Sequence, residues 1–379
     1  MTRVRVGLLC ALVAASAGSA HAQGAQGESW YVAVDYLNVS TRGNDVHVGD
    51  VFTEHQTVSG TVSQTRLDYG VTFDPIVTKM STDHSVMLSG GIRGPRWGFG
   101  IRGWRAVADG DATGSRSTTA PTATSQFVTG IRLWDNSIIP VTDQQDPSGI
   151  SPVTFHADNR LEHLQVEVFG ERRWTAGENF NLAARFGFAR ARTENTRSEG
   201  QTQHAFIVDT VAGGTSTLNN NITIDSESET KMNLTGPMLA IAGDTTFKRV
   251  RLDWLVSHAV LFGTAETTGT WTDIDNINEV TVTGGVQTVT TTVLDGVLPR
   301  EQDERAVVPT LDLQLKASVR VVKGVSIGGG VFSSTSFGQP VAPTFVVPDD
   351  WTDVQGTGWR SQKRDITYAG WSIFAGFGF

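Results

Sequence analysis

Cysteine is nearly absent from this chain of 379 residues, and its single thiol is Cys10. Long hydrophobic runs are also missing, since no uncharged apolar stretch reaches the ~18 residues of a membrane-spanning helix. Positive charge is in deficit, with 30 Lys and Arg against 39 Asp and Glu. These shortages exclude a disulfide scaffold and a helical membrane protein, and they argue against a partner such as nucleic acid.

The first 22 residues follow the order of a secretory signal peptide. Arg3 and Arg5 precede an apolar stretch from Val6 to Ala17, and Ala20-His21-Ala22 supplies the small residues of a cleavage site. We therefore predict that residues 1–22 are a cleaved signal peptide and that residues 23–379 form one domain. The mature domain would then contain no cysteine for a catalytic nucleophile or a metal site.

Period-two alternation is the dominant pattern in the rest of the chain. Leu311, Leu313 and Leu315 alternate with polar residues such as Asp312 and Lys316, which is typical of a strand with one apolar face. Helical spacing does not recur over any long segment. The clearest strand segments are residues 29–39, 83–93, 96–107, 160–174, 179–192, 231–243, 248–263, 306–322, 325–334 and 363–379.

Short and long connections alternate between these segments. The short ones fall near residues 93–95, 175–178, 244–247 and 323–324, and the long ones cover 107–159, 193–230, 264–305 and 335–362. Short periplasmic turns with long external loops are typical of bacterial outer-membrane proteins. The sequence thus predicts an all-β, antiparallel transmembrane β-barrel in the bacterial outer membrane.

The strand count leaves two alternatives open. An outer-membrane barrel with both termini in the periplasm needs an even number of strands, and the confident segments number ten. Residues 67–73 also alternate, and they either extend a strand within the first external loop or pair with residues 46–52 to give twelve. We prefer ten strands.

Aromatic side chains recur beside the predicted short turns. Trp97, Trp174, Phe180 and Phe247 lie there, and Trp254 belongs to the apolar face of a strand. Aromatic rings concentrate where a barrel meets the membrane interface, so we predict that these five side chains face lipid.

The last strand carries an alternating aromatic pattern that ends on phenylalanine. Trp371, Ile373, Phe377 and Phe379 share one parity. The pattern looks like the C-terminal signal of bacterial outer-membrane barrels, which the assembly machinery is thought to capture as an added strand. We expect that machinery, together with outer-membrane lipid and lipopolysaccharide, to be a partner of this chain.

Several stretches resemble the pore-forming major outer membrane protein family first described in Legionella. The resemblance is carried, in family order, by residues 161–173, 181–191, 234–243, 252–263, 308–319 and 371–379. It implies an outer-membrane pore with no enzymatic activity. We predict no cofactor for this chain. The first hundred residues depart from the family pattern except around residues 86–104.

Charged residues occupy the polar parity of the strands, where a barrel has its lumen. The predicted lining residues are Arg102, Glu167, Glu171, Arg173, Arg185, Arg251, Asp253, Asp312, Lys316 and Arg320. Their mixed signs have two interpretations, namely a pore that biases ion flow or pairs that plug a narrow lumen. The acidic long loops could also concentrate cations or bind divalent ions that bridge to lipopolysaccharide phosphates.

Two other functions remain as alternatives to a pore for ions or small hydrophilic solutes. A surface adhesin or structural barrel would have a closed lumen. An outer-membrane hydrolase would use His156 or His163, oriented by Asp158 or Glu162, with a serine from a loop. The histidine spacing gives no support to a metal site, and the GxGxxG at 98–103 and GxSxG at 324–328 lie in strand patterns rather than at strand-to-helix turns.

Overall fold

The structure, a computed structural model, describes residues 29–59, 66–81, 83–116, 125–133, 137–141, 153–175, 179–211, 214–283, 286–322, 324–346 and 358–378. The predicted signal peptide and Phe379 lie outside these residues. Within them the chain forms fourteen strands. They are β1 (Ser29–Arg42), β2 (Val46–Ser59), β3 (Arg66–Thr78), β4 (Asp83–Arg93), β5 (Trp97–Arg116), β6 (Ser125–Leu133), β7 (Ser137–Val141), β8 (Val153–Thr175), β9 (Phe180–Val211), β10 (Gly214–Phe247), β11 (Val250–Thr283), β12 (Val286–Val322), β13 (Val325–Val346) and β14 (Gly358–Gly378). Among the described residues, no helix has the length and hydrophobicity needed to cross a membrane.

Ten of these strands close into an antiparallel barrel. Their order around the ring is β1, β14, β13, β12, β11, β10, β9, β8, β5, β4, and β4 pairs with β1 again. Closure joins the first and last barrel strands, with Asn38 opposite Trp371. The predicted all-β class and the preferred count of ten strands are confirmed.

Residues 46–78 supply a hairpin that lies outside the ring. Strand β3 pairs with β2 as the twelve-strand alternative requires, but β2 then pairs with β6, and β6 with β7. The result is a separate four-stranded sheet in the order β3, β2, β6, β7. The alternative pairing of residues 67–73 is correct in direction, but their partners are residues 52–58 rather than 46–52. The inclusion of this hairpin in a twelve-stranded barrel is wrong.

The predicted long loops at 193–230 and 264–305 are wrong in their backbone structure. Strands β9 and β10 pair continuously as far as Val211 and Gly214, and β11 and β12 pair as far as Thr283 and Val286. Both segments are rich in Thr, and where side chains are described polar residues lie on both faces, such as Ser226 inside and Glu227 outside. Polar residues on both faces suit a wall that projects into water beyond the membrane. Strand β10 has 34 residues and rises roughly 110 Å, well beyond a hydrocarbon core of ~30 Å.

Short connections gather at the opposite end of the barrel, at residues 94–96, 176–179, 248–249 and 323–324. The third turn consists of Lys248 and Arg249 rather than the predicted residues 244–247, because the alternation of β10 continues through Phe247. Lys248 has a φ of 54° and Gly324 a φ of 82°, so both of these tight turns use left-handed backbone. In an outer-membrane barrel this end faces the periplasm.

Apolar side chains cover the outer face of the barrel near the short turns. On β12, for example, Leu313 is 44% exposed and Leu315 is 52% exposed. Asp312, which has the opposite parity on the same strand, is buried. On β8 the outward apolar positions run from Leu164 to Trp174, which matches the ~9–11 residues of a tilted transmembrane strand. A continuous apolar surface of this size is typical of a surface in contact with lipid. This band therefore defines the membrane-spanning part of the barrel.

Candidate functional site

The centre of the lumen is closed by a guanidinium that binds two carboxylates. Arg102 donates from Nε to Glu167 Oε2 at 2.9 Å and from Nη2 to Glu167 Oε1 at 2.6 Å. The same Nη2 lies 2.5 Å from Asp312 Oδ2. Strands β5 and β12 stand five positions apart in a ring of ten, so the Arg102–Asp312 contact crosses the full width of the lumen.

Neutral and charged neighbours complete this closed level, which we call the constriction. Gln165 Nε2 donates to Glu167 at 2.9 Å and to Asp312 at 3.2 Å, and Ser334 Oγ donates to Asp312 Oδ1 at 2.7 Å. Lys316 on β12 forms an ion pair with Asp35 on β1, also across the lumen. The constriction therefore consists of side chains from β1, β5, β8, β12 and β13.

A layer of rings lies next to the constriction on the side away from the short turns. The Trp104 ring centroid lies 4.7 Å from His163, 5.1 Å from Phe332 and 5.2 Å from Tyr368. All four side chains are buried, and His163 Nδ1 lies 2.9 Å from Thr193 Oγ1. Together the ring layer and the constriction fill the barrel at mid-height.

Towards the short turns the lumen widens into a cavity of about 890 Å³, which we call the vestibule. Glu171 is bound there by Arg185 at 3.1 Å, and Arg251 lies 2.8 Å from Asp253 and 3.3 Å from Asp244. Asp244 Oδ2 also accepts a hydrogen bond from Asn181 Nδ2 at 3.0 Å. The vestibule is thus a wet, charged chamber below the constriction.

The ten predicted lumen residues all fall on the inner face, but at two different levels. Arg102, Glu167, Asp312 and Lys316 belong to the constriction, whereas Glu171, Arg173, Arg185, Arg251, Asp253 and Arg320 belong to the vestibule. Sequence reasoning missed the partners Asp35, Gln165, Ser334 and Asp244, and the ring layer. Their inward parity on the strands was readable, but their meeting across the lumen depends on the closure of the ring.

Aromatic residues predicted to face lipid lie on the outer face of the barrel. Trp97, Trp174, Phe180 and Phe247 are exposed beside the short turns, and Trp254 is half-buried on the same face. The guanidinium of Arg172 lies 5.4 Å from the Trp97 ring and 5.7 Å from the Trp174 ring, which adds a cationic contact at the interface. In β14, Trp371 and Ile373 also point outwards, and the role of the last strand in assembly stays a prediction.

Charged side chains replace apolar ones on the outer face where the band ends. Arg105 lies 3.0 Å from Glu162, and Arg160 lies 2.5 Å from the same carboxylate. The hydrogen bond from Arg160, with help from Arg105, lowers the pKa of Glu162 below its ordinary value. The Glu229 carboxylate raises the pKa of Lys231 in the same way, further around the rim. These pairs mark the outer boundary of the membrane-spanning band.

The residues considered for a hydrolase do not assemble into a triad. His163 is buried in the ring layer, whereas Glu162 points to the other face of the same strand. His156 lies 3.9 Å from Asp225 rather than beside Asp158. Within the described part of the chain, no group of three or more His, Cys, Asp or Glu side chains could hold a metal ion.

Comparisons with known proteins return other barrels at low similarity. No family model and no curated protein matches the chain. Among solved structures, the outer membrane protease OmpT of Escherichia coli is 10% identical, with a TM-score of 0.35 over 95% of this chain and 99% of that chain. The toluene transporter TodX of Pseudomonas putida is 6% identical, with a TM-score of 0.20 over 94% and 90%. The transport unit of the E. coli autotransporter AIDA-I is 9% identical, with a TM-score of 0.23 over 98% and 97%.

Proposed function

We propose that this protein is a pore of the bacterial outer membrane that admits ions or small hydrophilic solutes, and that the closed lumen is its resting state. The observation that carries the proposal is the construction of the barrier. Side chains alone bridge the lumen between Arg102, Glu167 and Asp312, while the wall around them is held by continuous backbone pairing. Charged side chains can exchange partners without disturbing that wall.

A wide chamber on one side of the barrier supports the same proposal. The vestibule leads from the short-turn end directly to the constriction, and Arg102 lines its inner end. The polar interior beyond the membrane, which includes the buried Arg197–Glu199 pair, offers charged groups on the other side. A solute would therefore meet charged groups on both sides of a barrier made of the constriction and the ring layer. The resemblance to the Legionella pore-forming family implies the same activity.

A second candidate is a surface adhesin or structural barrel whose lumen never opens. It is favoured by the Arg102–Asp312 contact across the full lumen and by the adjacent ring layer around Trp104. In this case the projecting strands and the separate four-stranded sheet would be the functional surface. Neither candidate requires an enzymatic centre or a cofactor, and lipopolysaccharide would surround the outer face in both.

Single-channel recording in planar bilayers tests the two candidates. The refolded chain should give small conductance steps, and the triple variant R102A/E167A/D312A should give larger ones because it removes the constriction. The matched control is R105A/E162A, which removes an ion pair from the outer face of the same two strands and should leave the conductance unchanged. A folded wild type and a folded triple variant that both fail to conduct would rule out the pore and leave the closed-lumen barrel.

A further inference from the structure

The vestibule has more cationic than anionic side chains. Besides Arg102 and Lys316, whose carboxylate partners belong to the constriction, its wall contains seven Lys and Arg residues but three carboxylates, those of Glu171, Asp244 and Asp253. A volume of about 890 Å³ falls within the 300–1,000 Å³ typical of small-molecule sites. The chamber is thus large enough for a ligand, and its charge favours an anion.

The guanidinium groups in the vestibule outnumber the carboxylates, so several arginines contact the same carboxylate. Glu171, which is 2% exposed, has the Nε atoms of Arg93, Arg173 and Arg185 at 3.6, 3.8 and 3.1 Å. Arg173 also reaches Asp244, at 3.5 Å, and it shares that carboxylate with Arg251. Arg320 at the mouth forms no ion pair with any described residue. One buried carboxylate therefore occupies the centre of a cluster of arginines.

Two buried arginine donors beside the vestibule make no hydrogen bond with the described residues. Arg102 is 3% exposed and lines the inner end of the vestibule, yet its Nη1 is buried without an acceptor among the described residues. Arg93 Nε is likewise buried without a hydrogen bond to the described part of the chain. Buried donors are normally satisfied by protein, water or ligand, so Arg102 Nη1 indicates a missing acceptor, whereas Arg93 Nε has Glu171 Oε1 at 3.6 Å.

Aromatic rings hold two of these guanidiniums in place. The Arg93 guanidinium lies 3.9 Å from the centroid of the Tyr31 ring, and that of Arg185 lies 4.5 Å from the centroid of Phe169. Stacking fixes the plane of the fork and so reduces the entropy lost when an acceptor binds. Planar forks of this kind match the paired oxygens of phosphate and carboxylate groups.

From this geometry we infer that the vestibule is a binding site for a small polyvalent oxyanion bearing phosphate or carboxylate groups. Glu171 occupies the position of that anion when no ligand is bound. A ligand would bind to the arginines around Glu171, namely Arg93, Arg173 and Arg185. The site does not depend on conduction, because it opens at the short-turn end below the constriction.

Calorimetric titration of the refolded full chain in detergent tests this inference. Inorganic phosphate and citrate are the probes. The probe that binds more tightly shows whether the site prefers phosphate or carboxylate groups. We expect R185Q to weaken binding about tenfold, the value of one lost charge-assisted hydrogen bond. The matched control is R190Q, since Arg190 lies on the same strand but on the outer face, and it should bind as the wild type does.

A second variant separates a ligand site from a purely structural cluster. E171Q removes the resident negative charge, so it should bind the preferred probe more tightly than the wild type, whereas a structural cluster would only lose stability. Heat-modified mobility in gel electrophoresis shows whether each variant is folded. Absence of probe binding by both the folded wild type and folded E171Q would overturn the inference. That result would leave the conductance experiment unaffected, because conduction is measured separately.

Discussion

Strands β5 and β8 carry an Arg–Glu ion pair on each face of the barrel wall, and the two pairs differ in burial. On the outer face of β5 and β8, Arg105 and Glu162 form an exposed pair at the edge of the apolar band. On the inner face of the same strands, Arg102 and Glu167 form a buried pair that Asp312 joins from across the lumen. Pairs of the same chemistry thus differ in hydration and in what surrounds them. The face of the wall on which a pair lies therefore decides its burial, and only the inner pair can contact a strand on the opposite side of the lumen.

Loss of the inner guanidinium should have the largest effect. R102Q leaves Glu167 and Asp312 buried without their cation, and breaking a buried pair in this way costs about 3–5 kcal/mol. R105Q on the outer face should cost less than about 1 kcal/mol, because Glu162 is solvated and keeps Arg160. Urea-induced unfolding of the two variants in lipid vesicles measures both values. Equal losses would show that the inner pair is as hydrated as the outer one.

A charge placed on the lipid-facing surface should have the next largest effect. Leu315 lies near the middle of the apolar band on β12, and Val321 lies on the same face beside the short turn. L315R should cost about 2–4 kcal/mol of unfolding free energy, and V321R about 0–1 kcal/mol, because the cost depends on depth. The same unfolding assay applies. If the two substitutions had the same cost, the exposed leucines would not face hydrocarbon.

The outer face was predictable from the sequence because strand alternation is local. Leu313 and Leu315 point outwards as their parity requires, and the ring of ten strands follows from segments of this kind. The projecting hairpins were not predictable in the same way, since polar residues on both faces remove the alternation that marks a strand. The contact between Asp35 and Lys316 joins residues that are 281 positions apart in the chain, and it forms only when β1 pairs with β14 and closes the ring.

The candidate site was predictable residue by residue but not as an arrangement. Each of the ten charged lumen residues could be assigned to the inner face from its parity. Their division into a constriction of paired charges and a cationic vestibule depends on how far along each strand the residue lies and on which strands face each other. Mixed signs in the sequence were therefore compatible with both a plug and a selective pore, and the structure separates a level of paired charges from a cationic chamber.

Removal of a single charge from the vestibule should have the smallest effect. It should change the ion selectivity of the pore rather than the stability of the barrel. R251Q or R320Q removes one cation from a chamber with excess positive charge, so the reversal potential in a tenfold KCl gradient should shift towards the potential expected for cation flow. The unfolding free energy should change little, because both side chains are partly solvated. R190Q on the outer face should leave the reversal potential unchanged. A conducting barrel in which all three variants share the wild-type reversal potential would show that permeating ions do not sense the vestibule charges.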